Sequence, residues 1–213
     1  MKLLPVALAS LCVAVVHGAV SDRTPLSYAP VPADVYVPTN AAGTMTLLEL
    51  VQSRDDLSLL AEVVAGSAGF LQSFNTTPEW SFTFFAPSNT AFNNTGSYYS
   101  TFASRPKGKW WLGNLLQHHY VPFSTLLVSD FSTTVQRLQT STYLYVSTQL
   151  QGGQLVLNNV SVVTEGNISV TNGVVHIIDH ILDPAAQIFE AQYPSAKQAF
   201  IAGSCSNPSL PYC

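Results

Sequence analysis

Charged side chains are scarce in this chain. Asp, Glu, Lys and Arg make up 9% of its 213 residues, whereas hydrophobic residues make up 47%. A protein that binds nucleic acid neutralises phosphates with a stripe of Lys and Arg. Here the formal net charge is −4, and the basic residues cluster only at Arg105, Lys107 and Lys109. Three such residues are typical of a solvated surface, so the composition argues against a nucleic-acid partner.

Long apolar runs are missing except at the N-terminus. Lys2 precedes an almost unbroken apolar stretch over 3–16, which the small residues Gly18 and Ala19 follow. This order is typical of a cleavable secretory signal, and the stretch is shorter than the roughly 20 residues that a membrane-spanning helix needs. We predict a signal peptide over 1–19, with cleavage after Gly18 favoured. Because the C-terminus is polar and a lipid-anchor signal needs an apolar tail, the expected product is soluble.

Cysteine is also rare. The chain has three, of which Cys12 lies in the predicted signal peptide. The mature protein would keep Cys205 and Cys213, an even pair suited to an oxidising compartment. We predict a disulfide between them. It would close a small ring in the C-terminal tail and contribute about 2–3 kcal/mol at most, to local order alone.

Secretion would expose the chain to N-glycosylation. Four Asn-X-Ser/Thr sequons follow the signal, and each is an acceptor in a eukaryotic secretory pathway. The predicted glycosylation sites are Asn75, Asn93, Asn159 and Asn167, and at least two are expected to carry glycan. Signal and sequons together predict an extracellular protein at the cell surface or wall, with the vacuole lumen as the alternative.

The order of patterns along the chain predicts a single α+β domain. Removing the signal leaves about 195 residues, the usual size of one domain. Residues 20–43 are proline-rich and aperiodic, which predicts an extended leader. Apolar residues at helical spacing then precede short β-branched runs, which indicates helices with an antiparallel sheet or sandwich. The predicted helices cover 47–51, 57–65, 89–92 and 110–119, and the predicted strands 81–87, 143–146, 155–157, 161–163, 168–170 and 174–182.

Three segments resemble the fasciclin (FAS1) domain family. Residues 83–92, which read TFFAPSNTAF, resemble its first signature, where a strand ending in Ala-Pro precedes a polar turn and Ala-Phe. Residues 172–184 resemble the second signature almost position for position. Residues 115–122 look like the central Tyr-His element, with His119 on the family histidine and His118 in place of the tyrosine. The motif positions are Thr83, Pro87, Phe92, His119, Gly173, His176, Asp179 and Pro184.

This resemblance implies the architecture and the general role of the chain. It implies a FAS1 domain over 44–185, built as a β-sandwich wedge with helices packed around one side, and a tail over 186–213. Members of the family are extracellular or surface proteins associated with adhesion and with the matrix or wall. The domain is not known as a catalytic scaffold. The motif histidines are accordingly expected to be structural.

Two histidine patterns raise the question of a metal site and of a pH sensor. His176 and His180 have a zinc-ligand spacing, but that spacing requires a helix. The segment is rich in Val and Ile, and on a strand the two imidazoles would lie about 13 Å apart at roughly 3.3 Å per residue. No metal site is therefore predicted. His118 and His119 would point about 100° apart on a helix, and His119 is interpreted as a core histidine rather than a pH sensor.

Catalytic signatures are absent from the sequence. It has no Gly-x-Ser-x-Gly elbow and no phosphate-binding glycine loop, and no cofactor is expected. Asp179, Asp183 and Glu190 could supply paired acids for glycoside hydrolysis, but they fall at strand-end positions of the family or in the tail. A sugar-stacking platform is the remaining candidate, and at least half of its four rings are expected in the core. The four rings belong to Tyr98, Tyr99, Trp110 and Trp111.

These observations predict a non-catalytic secreted glycoprotein that binds other secreted or surface proteins or wall polysaccharide. Two alternatives stay open: a secreted hydrolase acting on the wall, and a membrane-contact factor of the secretory system or vacuole. Some animal fasciclin domains are proposed to bind integrins through an Asp-Ile dipeptide. The equivalent here is Asn167-Ile168, which lacks the anionic oxygen that a divalent cation favours. Integrin-type binding is therefore not expected.

Overall fold

Helices dominate the first half of the chain and strands the second. A computed structural model describes residues 43–67, 69–103 and 105–184. The predicted signal peptide, nearly all of the leader, Glu190 and both tail cysteines lie outside the described residues. The helices are α1 (Leu47–Gln52), α2 (Ser58–Gly66), α3 (Phe70–Phe74), α4 (Asn89–Asn93), α5 (Ser97–Ala103) and α6 (Pro106–His118). The strands are β1 (Phe82–Pro87), β2 (Tyr120–Pro122), β3 (Gln136–Gln139), β4 (Tyr145–Gln151), β5 (Gln154–Leu157), β6 (Ser161–Val170) and β7 (Gly173–Ile178).

Capping side chains and one glycine determine where three of the short helices begin. Thr46 and Glu49 form a reciprocal capping box on α1, since the Thr46 hydroxyl accepts from the Glu49 amide at 3.1 Å and the Glu49 carboxylate accepts from the Thr46 amide at 2.7 Å. Ser88 caps α4 by accepting from the Ala91 amide at 3.3 Å. Gly69 precedes α3 with φ of 87°, a left-handed conformation that glycine adopts without strain.

One seven-stranded sheet runs in the order β2-β1-β7-β6-β5-β4-β3. Every neighbouring pair is antiparallel except β1 and β7, which lie parallel. The expected α+β fold class is confirmed, but the sheet is mixed rather than purely antiparallel. β1 and β7 are buried along their whole length, which explains their near-continuous apolar sequences. The sheet also curls and brings its two edge strands, β2 and β3, towards each other. The Ser141 amide, in the turn between β3 and β4, donates to the Tyr120 carbonyl of β2 at 2.9 Å.

The neighbouring strands β1 and β7 lie between two apolar clusters. Alternate side chains of a strand point to opposite faces. Phe84 and Ile177 accordingly pack with the helices, whereas Phe85 and Ile178 pack with strands β4 and β5. Burying a side chain of this size contributes about 1.5–3 kcal/mol. The helices therefore cover one face of β1 and β7, as the resemblance implied, and the curled sheet covers the other.

Several elements differ from the sequence prediction. β6 is one strand over Ser161–Val170, where two short strands were predicted. Its register shifts between Val163 and Glu165 and again between Glu165 and Ile168, so a bulge spans the polar residues that suggested a break. The sequence analysis also missed β2, β3 and α5. β3 has a polar, exposed sequence, so it carries no period-two apolar pattern.

Candidate functional site

The histidine of the second signature ties the bulge of β6 to the loop after β2. His176 is fully buried in β7. Its Nδ1 accepts from the Asn167 amide at 3.2 Å, and its Nε2 lies 2.8 Å from the Leu126 carbonyl. Since Nδ1 accepts, the ring proton sits on Nε2 and is donated to Leu126. Burial lowers the pKa of His176, so the ring stays neutral and supports the fold from both nitrogens.

His119 and His118 make separate sets of hydrogen bonds. His119 Nε2 accepts from the Leu182 amide at 3.0 Å, and Nδ1 lies 2.7 Å from the Leu115 carbonyl. Burial lowers the pKa of His119 to about 3. His118 Nδ1 lies 3.0 Å and 2.9 Å from the hydroxyls of Thr140 and Thr142, and burial lowers its pKa as well. The two rings do not converge on a shared ligand position.

The acidic and threonine motif positions also hold loops against the sheet. Asp179 Oδ1 accepts from the Val162 amide at 2.7 Å and lies 2.8 Å from His180 Nδ1. Thr83 donates to the Ser124 carbonyl at 2.8 Å and accepts from the Leu126 amide at 2.9 Å.

The remaining motif positions lie at element ends or in the core. Phe92 is buried in α4, and Pro87 ends β1. Gly173 begins β7 directly beside the ring of Phe82, which a Cβ at that position would overlap. Pro184 is the last residue that the structure describes.

All four sequon asparagines are exposed. Asn75 follows α3, Asn93 ends α4, and Asn159 lies in the turn before β6. Asn167 lies in the β6 bulge with φ of 63°, and its Oδ1 accepts from the Val128 amide at 2.8 Å. N-glycans attach to the side-chain nitrogen, so this hydrogen bond is compatible with a glycan at Asn167.

The four rings proposed as a sugar-stacking platform do not form one exposed surface. Tyr98 and Trp111 meet edge to face with centroids 5.7 Å apart, and Tyr99 packs on Phe92 at 5.0 Å. Tyr99 and Trp111 both pack against the helical core. Trp111 Nε1 also donates to the Asp183 carboxylate at 3.1 Å. Of the four rings, Trp110 alone is exposed.

Large apolar side chains are exposed instead on the β3–β4 hairpin. We define the hairpin surface by three consecutive exposed residues at the turn: Tyr143, Leu144 and Tyr145. Tyr143 is 81% exposed and has φ of 64°. The sequence analysis placed residues 143–146 in a strand, but the structure buries only Val146 of this run. A tyrosine directly after the polar run Thr140–Thr142 was the available signal for an exposed turn residue.

A second feature that the sequence analysis missed is an aromatic cavity of about 490 Å³. It lies between α1, α3, the C-terminal end of α6 and the β1–β2 edge. Its walls include five aromatic rings, from Phe70, Phe74, Trp80, Phe82 and Tyr120. Trp80 Nε1 donates to the Tyr120 hydroxyl at 3.0 Å, and Phe82 stacks on Tyr120 with centroids 4.9 Å apart. These rings come from sites 50 residues apart in sequence, from Phe70 to Tyr120, so no local motif could show the cavity.

Within residues 43–67, 69–103 and 105–184, no three or more His, Cys, Asp or Glu side chains are grouped to hold a metal ion. None of the helices described in those ranges is long and apolar enough to cross a bilayer.

Comparison with known proteins points to the same family as the motif residues do. The family model of the Fasciclin domain matches residues 55–184. A structure described as a FAS1 domain pair from the insect cell adhesion molecule Fasciclin I is similar, with a TM-score of 0.56 and 20% sequence identity. That match covers 65% of this chain and 50% of the other. Curated protein sequences gave no match. The chain therefore belongs to the fasciclin domain family.

Proposed function

We propose that this chain is a secreted N-glycoprotein that binds other secreted or surface proteins or wall polysaccharide and does not itself catalyse a reaction. Fasciclin domains are generally adhesion modules, and proteins that contain them are typically extracellular or at the cell surface. The apolar N-terminal stretch and the four exposed sequon asparagines support the secretory route. The observation that carries the binding role is the hairpin surface.

The hairpin surface exposes apolar area that a fold would ordinarily bury. Exposing such area costs about 25 cal/mol per Å², and contiguous exposed apolar patches mark interaction sites. Tyr145 is 59% exposed next to Tyr143. Tyrosine supplies a large ring with a polar tip and is enriched where binding energy concentrates. A partner that covers both rings would remove this apolar area from water.

The backbone at Tyr143 supports the same conclusion. A left-handed φ is costly for a bulky L-residue, by about 1–2 kcal/mol, and strain of this kind concentrates at functional sites. The turn holds it in place, because the Tyr143 amide donates to the Thr140 carbonyl at 2.9 Å. The Tyr143 carbonyl in turn accepts from Gln139 Nε2 at 3.2 Å. The fold thus holds the backbone that carries an exposed aromatic ring, at a conformational cost.

The direct test measures binding of the purified glycosylated chain to insoluble wall or matrix polysaccharide and to cell-surface protein extracts. The double variant Tyr143→Ser and Tyr145→Ser should weaken binding to the true partner at least tenfold, since truncating a central aromatic residue often costs more than 1 kcal/mol. The control is Leu71→Ser, which changes an exposed apolar side chain on α3, outside the hairpin surface. Equal binding by all three proteins would contradict the proposal.

Binding through Asn167 and Ile168 to integrin-type receptors is not part of this proposal. Asn167 supplies a neutral amide whose oxygen already accepts from Val128, whereas hard divalent cations prefer anionic oxygen ligands. We expect cells to show no cation-dependent attachment to the purified protein, and Asn167→Asp serves as the comparison that restores a carboxylate. Strong attachment to the unmodified protein, abolished by chelating divalent cations, would refute this expectation.

A further inference from the structure

The aromatic cavity has the composition of a binding site for a neutral, mainly apolar molecule. Leu47, Phe74, Phe82 and Leu116 form buried parts of its wall. None of its lining residues within the described chain is charged. A charged ligand would lose its hydration there without meeting an opposite charge, which is strongly unfavourable. The volume of about 490 Å³ falls in the range of small-molecule sites.

Tyr120 gives this cavity a fixed hydrogen-bond donor. Its ring is held by stacking on Phe82 and by the hydrogen bond from Trp80. Because the phenol oxygen accepts from Trp80, its own hydrogen can be donated, and it has no acceptor among the described residues. Burial raises the pKa of Tyr120 to about 12, so the phenol remains protonated at neutral pH. An oxygen acceptor on a ligand would satisfy this donor.

The rim of the cavity is more polar than its wall. Ser73 and Gln117 are exposed, and Ser141 lies half-buried beside them. Trp80 extends over the rim towards Phe123, with centroids 6.2 Å apart. Phe123 is 77% exposed and has a left-handed φ of 62°, so a second strained aromatic residue lies near the opening. An apolar ligand could therefore bind inside, with aromatic rings and small polar groups at the mouth.

We propose that this cavity binds a neutral, mainly apolar ring compound through a carbonyl, ether or hydroxyl oxygen that accepts a hydrogen bond from Tyr120. Aromatic walls favour flat or cyclic partners that pack against ring faces. The cavity shares no lining residue with the hairpin surface, although Ser141 on its rim lies in the same turn as Tyr143. A chain that fails to bind wall or surface proteins would still bind the small molecule.

The test uses the full glycosylated chain and the neutral fluorescent probe N-phenyl-1-naphthylamine. Three competitors share one ring system: 2-acetylnaphthalene carries a ketone oxygen, 2-ethylnaphthalene lacks it, and 2-naphthoate is charged. We expect the ketone to displace the probe about three- to tenfold better than the ethyl compound, the gain of one hydrogen bond. The naphthoate should be the weakest. A neutral β-glucan hexasaccharide is included to test for a sugar site.

Two variants locate the binding. Tyr120→Phe should abolish the advantage of the ketone while leaving the ethyl compound unchanged. The matched control is Tyr99→Phe, since Tyr99 is a half-buried tyrosine on α5 that lies outside both the cavity and the hairpin surface. Ser73→Trp fills the mouth from an exposed helical position and should remove probe binding. If Ser73→Trp fails to fold, the ratio of the two competitors in Tyr120→Phe decides alone. No probe binding, an unchanged ketone advantage in Tyr120→Phe, or displacement by the hexasaccharide as effective as by the ketone would overturn the proposal.

Discussion

Three buried histidines make the stability of this domain depend on pH at the residue scale. His118, His119 and His176 are each buried and hydrogen-bonded as neutral rings. Burial disfavours the charged imidazolium, and in each case this lowers the pKa. The unfolded chain therefore takes up protons at pH values where the folded chain does not. Acidification must destabilise the fold through these groups.

His119 provides the clearest measurement. Its pKa falls from the ordinary 6.5 to about 3 in the folded state. Above pH 6.5 both states are neutral at this ring. As pH falls from there towards 3, only the unfolded state binds the proton, so the unfolding free energy should drop by about 1.4 kcal/mol per pH unit for this group.

Urea unfolding of the purified protein between pH 7 and pH 4.5 measures this slope. His119→Gln keeps a donor and an acceptor but does not titrate, so its slope should be smaller by about one proton. Carboxylates contribute equally to both proteins and cancel in the comparison. Identical slopes would show that His119 is not held neutral.

We expect Tyr143 to lower the stability of the folded protein, because its backbone is left-handed. Tyr143→Gly removes a left-handed strain of about 1–2 kcal/mol but adds unfolded-state entropy worth about 0.5–1 kcal/mol. We expect the unfolding free energy to stay level or rise by up to about 1.5 kcal/mol. Tyr145→Gly, in strand β4, should instead destabilise the protein because glycine weakens strands. Equal losses in urea unfolding would argue against strain at Tyr143.

At the scale of elements, the bulge of β6 depends on a glycine. A Cβ at Gly166 would lie 2.7 Å from a Val128 methyl and 3.0 Å from His176 Nδ1. The first distance is shorter than real Cβ contacts and the second is at their lower limit, so the Val128 side chain, the loop that carries it or the histidine would have to move. The bulge, the histidine and the loop therefore form one packed unit.

Replacing Gly166 with alanine tests this unit. Gly166→Ala should destabilise the protein by about 1–3 kcal/mol, the usual cost of overpacking. Gly66→Ala is the matched control, because it ends α2 in open space and should raise stability by up to about 1 kcal/mol. Thermal or urea unfolding compares the two. A neutral Gly166→Ala would mean that the loop moves away without cost.

The elements with strong apolar patterns were predictable from the sequence, but their pairing was not. The β-branched and aromatic runs predicted β1 and β7, and the leucines at helical spacing predicted α6. That β1 and β7 lie parallel depends on tertiary packing between distant segments, which no local pattern records. The exposed Tyr143 was missed because an apolar run predicts burial, whereas turn geometry here overrides it. The cavity was missed because its walls come from five separate helices and strands and from the loops between them.

At the scale of the whole molecule, the secretory route can be tested directly. Expressed with its own N-terminus in a eukaryotic host, the protein should appear in the medium or the vacuole lumen, cleaved near Gly18. Glycosidase treatment should then lower its apparent mass, since all four sequon asparagines are accessible. The control replaces all four asparagines with glutamine. A cytosolic, uncleaved and unglycosylated product would contradict the predicted compartment.

The parallel pairing of β1 with β7 has a consequence for how the chain matures during synthesis. Phe82 pairs with Gly173, so the β1–β7 pair forms only after nearly the whole domain has emerged. Such sequence-distant contacts slow folding. In a chain that enters a secretory lumen, Asn75 and Asn93 would meet the glycosylation machinery while still unfolded. Asn167 is translated just before β7, so glycan transfer there would compete with closure of the sheet, and slower translation past that point would raise its occupancy.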